Sequence, residues 1–143
     1  MSIWRVSVKP NEDMNAWDVC KRQGIIMIGW PCDKHDSKPQ VKRFNRINEG
    51  DLVIAHVPES HGGAPGLICG IGRIAESCRK VNRIDLPQGD NWPGKFRRQC
   101  KIDWLCIEKH DLRKLFNYWR GTVHKLKPEF EYEVRRIYDI QDL

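Results

Sequence analysis

The sequence lacks a long hydrophobic run. Its first residues, Ser2-Ile3-Trp4-Arg5-Val6, include a charge and do not form the apolar centre of a secretory signal peptide. No other segment approaches the length of apolar chain that is needed to cross a bilayer. We therefore expect a cytoplasmic protein without a membrane anchor.

The sequence also lacks repeats, low-complexity tracts and an excess of acidic residues. Its 143 residues include 19 acidic and 25 basic side chains, which gives a net charge of +6. Apolar residues make up 40% of the chain and charged residues 31%, as in an ordinary globular protein. We expect one domain over residues 1–143, and the basic surplus favours a polyanionic partner.

Cysteine is present, but the spacing of a complete metal site is missing. There are six cysteines and no Cys-x2-Cys pair. Cys32-x2-His35 and Cys106-x3-His110 each resemble only half of a zinc site. Cys69, Cys100 and Cys106 lie in apolar, strand-like runs, which favours buried thiols. We expect no metal and no cofactor.

Catalytic motifs are missing as well. The five histidines share no spacing with a nucleophile or a pair of carboxylates. Ser60-His61 is a poor catalytic signal, because a triad is defined by its geometry and not by adjacency in the chain. Gly70-x-Gly72 lacks the third glycine and the following helix of a dinucleotide site. These absences favour a binding module over an enzyme.

Tryptophan, by contrast, is abundant, with six residues. Trp4, Trp17 and Trp104 lie on periodic apolar faces, so we assign them to the core. Trp30 and Trp92 lie in segments that are interrupted by glycine and proline. Two exposed indoles that face each other form a slot for a flat or methylated ligand. In a basic chain, that ligand is expected to be a nucleobase.

The order of predicted elements indicates an α+β fold. Alternating or continuous apolar residues predict extended segments at 3–8, 25–30, 52–57, 67–76, 99–108 and 122–126. Capping residues and helical spacing predict helices at 11–23, 41–47, 110–118 and 128–138. Residues 79–98 are basic and irregular. Five or six curved strands flanked by helices predict a small, partly closed β-barrel.

Several stretches occur in this order along the chain: Lys9-Pro10-Asn11-x3-Asn15, Gly29-Trp30, Gly50-Asp51-Leu52-Val53, Asn91-Trp92-Pro93-Gly94-Lys95-Phe96 and Lys101-Ile102-Asp103-Trp104. Together they resemble the PUA-like superfamily and in particular its YTH and EVE domains. The resemblance covers roughly residues 3–110. The segment from Thr122 onward is more similar to EVE-type members associated with restriction than to RNA readers.

This resemblance implies that a modified base, such as N6-methyladenine, is held in an aromatic cage. Trp30 and Trp92 are the implied walls. Pro87 occupies a position where some YTH domains have a further tryptophan, so Leu86, Pro87 or the alternative Ile84 is expected to form the third wall.

The resemblance also implies polar contacts to the base and to the nucleic-acid backbone. Asn15 is expected to bind the Watson–Crick edge of the base, with Asn11 beside it, although Asn11 is also suited to capping a helix. A base taken from a duplex must be flipped out, at a cost that phosphate contacts can offset. The basic residues expected to make these contacts are Lys9, Arg79, Lys80, Arg83, Lys95, Arg97 and Arg98.

The function that this implies is the recognition of nucleic acid with a modified base. Methylated DNA is favoured, with N6-methyladenine ahead of 5-methylcytosine. The domain would serve as the target-recognition module of an McrB-type, modification-dependent restriction system, with an AAA+ GTPase and a nuclease as partners. Two alternatives remain: a module that reads N6-methyladenine or another modification in RNA, and an enzyme or small-molecule sensor that uses the same pocket.

Overall fold

The computed structural model describes residues 1–8, 16–28, 39–56, 67–80, 98–108, 110–111 and 123–139. Within these ranges the chain forms seven strands and three helices. The strands are β1 Ile3–Ser7, β2 Ile25–Ile28, β3 Leu52–His56, β4 Leu67–Lys80, β5 Arg98–Cys106, β6 His110–Asp111 and β7 Val123–Lys125. The helices are α1 Ala16–Gln23, α2 Pro39–Phe44 and α3 Pro128–Tyr138.

The described strands form one curled sheet in the order β2-β5-β4-β3-β1-β7, and the two-residue β6 pairs with the start of β4. The pair β1–β3 is parallel, and the other pairs are antiparallel. This half-barrel with its helices confirms the predicted α+β class and its curved sheet.

The curl of the sheet is visible in the core. Val6 lies on β1 and Val8 directly follows it, whereas Ile26 and Ile28 lie on β2, four strands away in the sheet order. All four side chains nevertheless belong to one buried cluster, together with residues of α1 and α2. Two strands that are distant in a sheet can share a core only if the sheet bends around it. The second face of the sheet packs against α3 through a separate buried cluster that includes Val134.

Helix α1 is fixed to this sheet by two tryptophans. The rings of Trp17 and Trp104 meet edge to face, with centroids 4.9 Å apart. The indole Nε1 of Trp104 also donates to the carbonyl oxygen of Cys20 at 3.0 Å. Gly70 leaves room for the ring of Trp17, since a Cβ at position 70 would lie 2.6 Å from that ring. The helix ends at Gln23, and Gly24 follows it with a φ of +64°, which suits the predicted helix end.

A buried carboxylate organises the turn into β3. Gly50 has a φ of +88°, and Asp51, which follows it, is 6% exposed. Asp51 accepts hydrogen bonds from the backbone N–H of Ser2 at 3.0 Å and of Asn48 at 2.9 Å, and from Trp4 Nε1 at 3.0 Å. The Gly50-Asp51 pair thereby joins the turn to β1. Trp4 and Trp17 are buried in the core as assigned, whereas Trp104 is partly buried and packs against it.

Helix α2 lies against the edge strand β7. The Oε1 atom of Gln40 accepts the backbone N–H of Val123 at 2.6 Å, and Arg43 Nη1 lies 3.5 Å from the carbonyl oxygen of Val123. On its other side, β7 pairs with β1, where Val123 faces Val6. The helix therefore satisfies backbone groups that an open sheet edge would expose.

Three sequence-based expectations are corrected by the described residues. Strand β4 continues to Lys80, beyond the predicted end at 76, and β5 begins at Arg98, so the irregular segment is shorter than expected. Residues His110–Asp111 form β6 where a helix was predicted to begin. Cys100 is buried as predicted, at 1% exposure, but it is disulfide-bonded and not a free thiol.

The physical reason for these corrections is pairing with distant strands, which apolar periodicity does not record. Residues 9–15, 29–30, 57 and 112–118, on which parts of the predicted elements fall, lie outside the described ranges. None of the helices within those ranges has the length and hydropathy that a membrane crossing requires.

Candidate functional site

Three strands meet in one row at the end of the sheet where the predicted cage segments are attached. Ile28, the last residue of β2, pairs with Arg98, the first residue of β5. Arg98 in turn pairs with Lys80, the last residue of β4. The segment with Trp30 leaves the sheet from Ile28, and the segment with Trp92 connects Lys80 to Arg98. Both cage segments therefore begin at the same row.

This row brings the two segments within reach of each other. Paired strands lie about 4.8 Å apart, so the Cα atoms of Ile28 and Lys80 are separated by about 10 Å. Trp30 is two residues beyond Ile28, a distance of at most about 7 Å along an extended chain. The two segments therefore start from neighbouring positions, and the placement of Trp30 and Trp92 stays a prediction.

The predicted cage and base-contact side chains themselves lie outside the described residues. This is the case for the walls Trp30, Trp92, Leu86 and Pro87 and for the alternative Ile84. It is also the case for Asn11 and Asn15, and for the phosphate candidates Lys9, Arg83, Lys95 and Arg97. The cage assignment remains a prediction, and the structure supplies its points of attachment.

Three of the residues predicted to contact phosphates are on strands and not in a loop. Arg79 and Lys80 are the last two residues of β4, where they pair with Gln99 and Arg98 of β5. The backbone at these positions is therefore ordered by the sheet, next to the row from which both cage segments leave. Functional residues are placed more precisely by the strands of a scaffold than by its loops.

The segment that contains Lys9, Asn11 and Asn15 is attached elsewhere on the sheet. It begins after Val8, whose N–H donates to the carbonyl oxygen of His56 at 2.8 Å. His56 pairs with Ile68, near the start of β4 and far along that strand from the row of Ile28. The strand pairing of the described residues therefore does not bring the 9–15 segment to the row of Ile28, Arg98 and Lys80. Among the described residues, Val8 and Ile28 share one buried cluster, which connects the start of this segment with that row.

Helix α2 contributes basic residues that the sequence analysis did not select. On the helix, Lys42 is exposed and Arg43 is half-buried against β7, and Arg46 is exposed in the turn that follows Phe44. The helix follows the 29–38 segment that contains Trp30. The signal in the sequence was the position of these cations opposite the buried apolar face of α2, at helical spacing. They provide positive charge on and directly after α2, the helix that follows the segment with Trp30 in the chain.

One buried polar group superficially resembles a nucleophile with its base. The Oγ atom of Ser7 lies 3.4 Å from Nδ1 of His56, and Nη1 of Arg5 donates to the same Oγ at 3.2 Å. In a hydrolase a carboxylate stabilises the imidazolium, whereas the guanidinium here would oppose it. All three residues are buried, and burial lowers the pKa of Arg5 to about 10. We interpret the group as structural.

The thiols of the described residues do not form a reactive site. Cys20 is fully buried, and this burial raises the pKa of its thiol to about 12, so it is protonated at neutral pH. Cys69 Sγ donates to the carbonyl oxygen of Ala55 at 3.2 Å. Across the described ranges, no three His, Cys, Asp or Glu side chains are grouped as a metal site would require.

Comparisons with known proteins are informative only at the level of structure. No family model matches the chain, and no curated protein matches it in sequence. Among solved structures, the chain is similar to the YTH domain of the Zygosaccharomyces rouxii MRB1 protein in complex with N6-methyladenosine RNA. The two share 15% identity and a TM-score of 0.56, over 95% of this chain and 86% of that one.

Two further solved structures extend the similarity. The YTH domain-containing protein mmi1, in a complex with RNA, has 7% identity and a TM-score of 0.61, over 96% of this chain and 82% of that one. A Rhodopseudomonas palustris protein solved by NMR has 16% identity and a TM-score of 0.55, over 100% of this chain and 97% of that one. At these identities the likeness concerns the fold. The chain has a YTH-like fold, as the sequence resemblance implied.

Proposed function

We propose that residues 1–143 form a single reader domain that binds nucleic acid carrying a modified base. The base is flipped into a cage between Trp30 and Trp92, with Leu86 or Pro87 as the third wall. Asn15, with Asn11 beside it, contacts the edge of the base. The domain is a binding module and not an enzyme.

One observation carries the proposal: the row of Ile28, Arg98 and Lys80, from which both tryptophan segments leave the sheet. A cage needs two aromatic walls at a separation that admits one flat ring between them. That both tryptophan segments start from one row of paired strands supports such a cage.

The solved structures of similar fold support the ligand class. Two of them are YTH domains described as complexes with N6-methyladenosine RNA or with m6A. Since a fold alone does not determine a function, this support depends on the tryptophans and asparagines of the present chain. Those residues stand at the positions that the sequence resemblance selected.

The physical chemistry of a cage explains how the modification is recognised. Stacking of a base on an aromatic side chain is worth about 1–3 kcal/mol, whether or not the base is methylated. Selectivity then depends on a close-fitting methyl pocket, and burial of one methyl group contributes about 0.8 kcal/mol. An amide such as that of Asn15 adds selectivity for the base itself, because an analogue without the matching group leaves the amide unpaired.

Two nucleic acids are candidates for the bound polymer: DNA and RNA. Methylated DNA, read for an McrB-type restriction system with an AAA+ GTPase and a nuclease, is favoured by the similarity of the segment after Thr122 to restriction-associated members. Modified RNA is favoured by the RNA complexes among the structures of similar fold. N6-methyladenine is the preferred base in either case.

The deciding experiment measures binding to short oligonucleotides that differ at one base. DNA duplexes and RNA strands with adenine, N6-methyladenine, cytosine or 5-methylcytosine are compared at one fixed salt concentration. Preference for one modified oligonucleotide supports the reader and identifies both base and polymer. Equal, salt-sensitive binding to all of them would leave only a nonspecific nucleic-acid module.

The cage is tested by Trp30→Ala and Trp92→Ala. Each variant is expected to lose about 1–3 kcal/mol of binding to the modified oligonucleotide, roughly a 5- to 150-fold weakening, and to keep the fold. Tyr132→Ala is the matched control, because Tyr132 is an aromatic residue on α3 with 67% exposure. Retention of wild-type selectivity in both tryptophan variants would show that the cage is assigned wrongly.

A further inference from the structure

Cys100 forms a disulfide whose partner can be assigned from the backbone. Cys100 lies on β5, is 1% exposed and is disulfide-bonded. The free thiols are Cys20, Cys69 and Cys106. Since the chain has six cysteines, the partner must be Cys32 or Cys78.

The register of the β4–β5 ladder distinguishes these two. Glu76 pairs with Lys101 and Arg79 with Gln99, so the stretch 77–78 lies opposite Cys100. Opposed residues in an antiparallel pair have Cα atoms about 4.5–5.5 Å apart, which is within the range that a disulfide spans.

The other neighbour of Cys100 in the sheet does not bring Cys32 close. On that side, Cys100 pairs with Ile26 of β2. Cys32 is six residues further along the chain from Ile26 and beyond the end of β2 at Ile28. The ladder therefore favours Cys78 as the partner.

The geometry points to a Cys78–Cys100 disulfide that acts as a redox-sensitive tether for the segment containing Trp92. The cross-link closes a covalent ring over residues 78–100, and this ring includes the whole 81–97 segment. Its effect on binding rests on the proposed function, whereas the cross-link itself does not.

The β4–β5 ladder is irregular where this bond lies. Register irregularities occur between Ile74 and Glu76 and again between Glu76 and Arg79. Beyond them, the last paired positions of the two strands are Arg79 with Gln99 and Lys80 with Arg98. A covalent link at the second irregularity holds the two ends of the 81–97 segment in register. Such preorganisation favours binding, because less ordering is left to occur with the ligand.

The redox chemistry is an ordinary exchange with a dithiol. A thiolate of the dithiol attacks one sulfur of the Cys78–Cys100 bond, and that bond breaks to give a mixed disulfide and one free cysteine. The second thiol of the reagent then displaces the other cysteine. Two electrons and two protons are transferred to the protein, and the reagent becomes a cyclic disulfide. Because Cys100 is buried, attack requires the paired end of β4 and β5 to open.

The cross-link is tested first by mapping. Free thiols are alkylated in protein that was never exposed to reductant, and tryptic peptides are identified by mass spectrometry. Cleavage after arginine and lysine places Cys78 in peptide 74–79, Cys100 in 99–101 and Cys32 in 23–34. The linked pair 74–79 with 99–101 is expected. A link from 99–101 to 23–34, or no link at all, would overturn the assignment.

The tether is then tested by binding, with and without dithiothreitol. Reduction is expected to weaken binding of the modified oligonucleotide roughly tenfold. Cys78→Ser is expected to bind as weakly as the reduced protein and to be insensitive to the reagent. Cys106→Ser is the matched control, since Cys106 is a free cysteine on the same strand as Cys100. Equal affinity of the oxidised and reduced proteins would exclude a tether.

A second measurement keeps the two proposals distinguishable. If no form binds a modified oligonucleotide, the reader function fails, but the peptide map still decides the cross-link. The tether is then decided by the rate of tryptic cleavage within 81–97, at Arg83 and Lys95. Reduction is expected to accelerate this cleavage severalfold. An unchanged rate would contradict the tether even if the disulfide is confirmed.

Discussion

Asp51 is a single side chain on which three donors converge. Replacement by alanine would leave the indole of Trp4 and the backbone N–H groups of Ser2 and Asn48 without this acceptor. Because a buried polar group that loses its partner costs about 1–3 kcal/mol, we expect Asp51→Ala to lower the free energy of unfolding by about 3 kcal/mol. Urea denaturation followed by tryptophan fluorescence measures this change.

The neighbouring Glu49 provides the control for that measurement. Glu49 is exposed, so Glu49→Ala removes a carboxylate from the same turn with little expected change in stability. A similar destabilisation in both variants would show that general charge, and not the hydrogen bonds of Asp51, stabilises this turn.

Gly70 is a second position where one atom matters. A Cβ there would lie 2.6 Å from the Trp17 ring, so Gly70→Ala must displace α1 or the ring. Overpacking of this kind typically costs about 1–3 kcal/mol. Trp17→Phe removes the outer part of the indole and is expected to relieve the clash. The double variant should therefore be more stable than the sum of the single effects predicts, as a double-mutant cycle in urea would show.

At the residue scale, the sequence was informative about burial and less so about partners. Trp4, Trp17 and Trp104 were assigned to the core from their spacing. The first two are buried there, and Trp104 is partly buried against it. The bond from Trp4 to Asp51 crosses 47 positions, and no local pattern indicates it. The disulfide of Cys100 was missed for the same reason, because apolar neighbours predict burial equally well for a thiol and for a cross-link.

At the scale of elements, α2 connects the fold to its proposed ligand. Its exposed Lys42 and the following Arg46 come directly after the 29–38 segment in the chain, and we expect them to bind phosphates. Charge reversal to Lys42→Glu and Arg46→Glu is expected to weaken binding of all oligonucleotides alike. Each substitution that removes a phosphate contact should also reduce the slope of log affinity against log salt by about 1.

A basic residue on the other face of the sheet serves as the comparison for α2. Arg136 lies on α3, is largely exposed and pairs with Glu133 at 2.7 Å. Arg136→Glu changes the net charge by the same amount as either α2 variant. If it reduces the salt slope equally, binding reflects overall charge, and α2 makes no specific contact. An effect confined to modified oligonucleotides would instead assign α2 to base recognition.

The elements differ in how well the sequence predicted them. Helix α3 was predicted at 128–138 and extends over Pro128–Tyr138, because a proline at its first turn and an amphipathic face both mark it locally. Strand β4 was predicted to end at 76, yet it continues to Lys80. Its last residues are basic, and they are held in the strand by β5 and not by their own preference.

The whole molecule is expected to lose stability in alkali. Burial raises the pKa of the Cys20 thiol from 9.0 to about 12, so the unfolded chain releases this proton first. Stability from this group is complete below pH 9 and is lost as the pH rises towards 12. The free energy of unfolding should fall by about 1 kcal/mol between pH 9 and pH 10. Burial also raises the pKa of Tyr138, which adds to the decline.

Arg5 acts in the opposite direction at higher pH. Burial lowers its pKa to about 10, so the folded protein releases this proton before the unfolded chain does. The contribution of Arg5 to stability therefore rises above pH 10 and offsets part of the decline. Urea titrations in this range, repeated with Cys20→Ala, separate the two effects. An equal decline between pH 9 and pH 10 in the variant would show that Cys20 is not its source.

The fold class followed from the order of elements, and the resemblance to YTH domains agrees with the curled sheet. The site was predicted only as a set of residues. The row of Ile28, Arg98 and Lys80, from which the two tryptophan segments leave the sheet, is a property of strand pairing. Periodicity defines which residues face inward, but it does not define which strand ends are neighbours.

The position of β1 has a consequence for synthesis on the ribosome. This strand is made early, yet it pairs with β3 and β7, and the N–H of Ile3 donates to Glu131 of α3 at 3.1 Å. The partners of its hydrogen bonds to other elements are separated from it by 47 to 128 positions in the chain. Contacts of such separation form slowly. The apolar strand must therefore await the last helix, and a nascent chain stalled before α3 would expose it to chaperones.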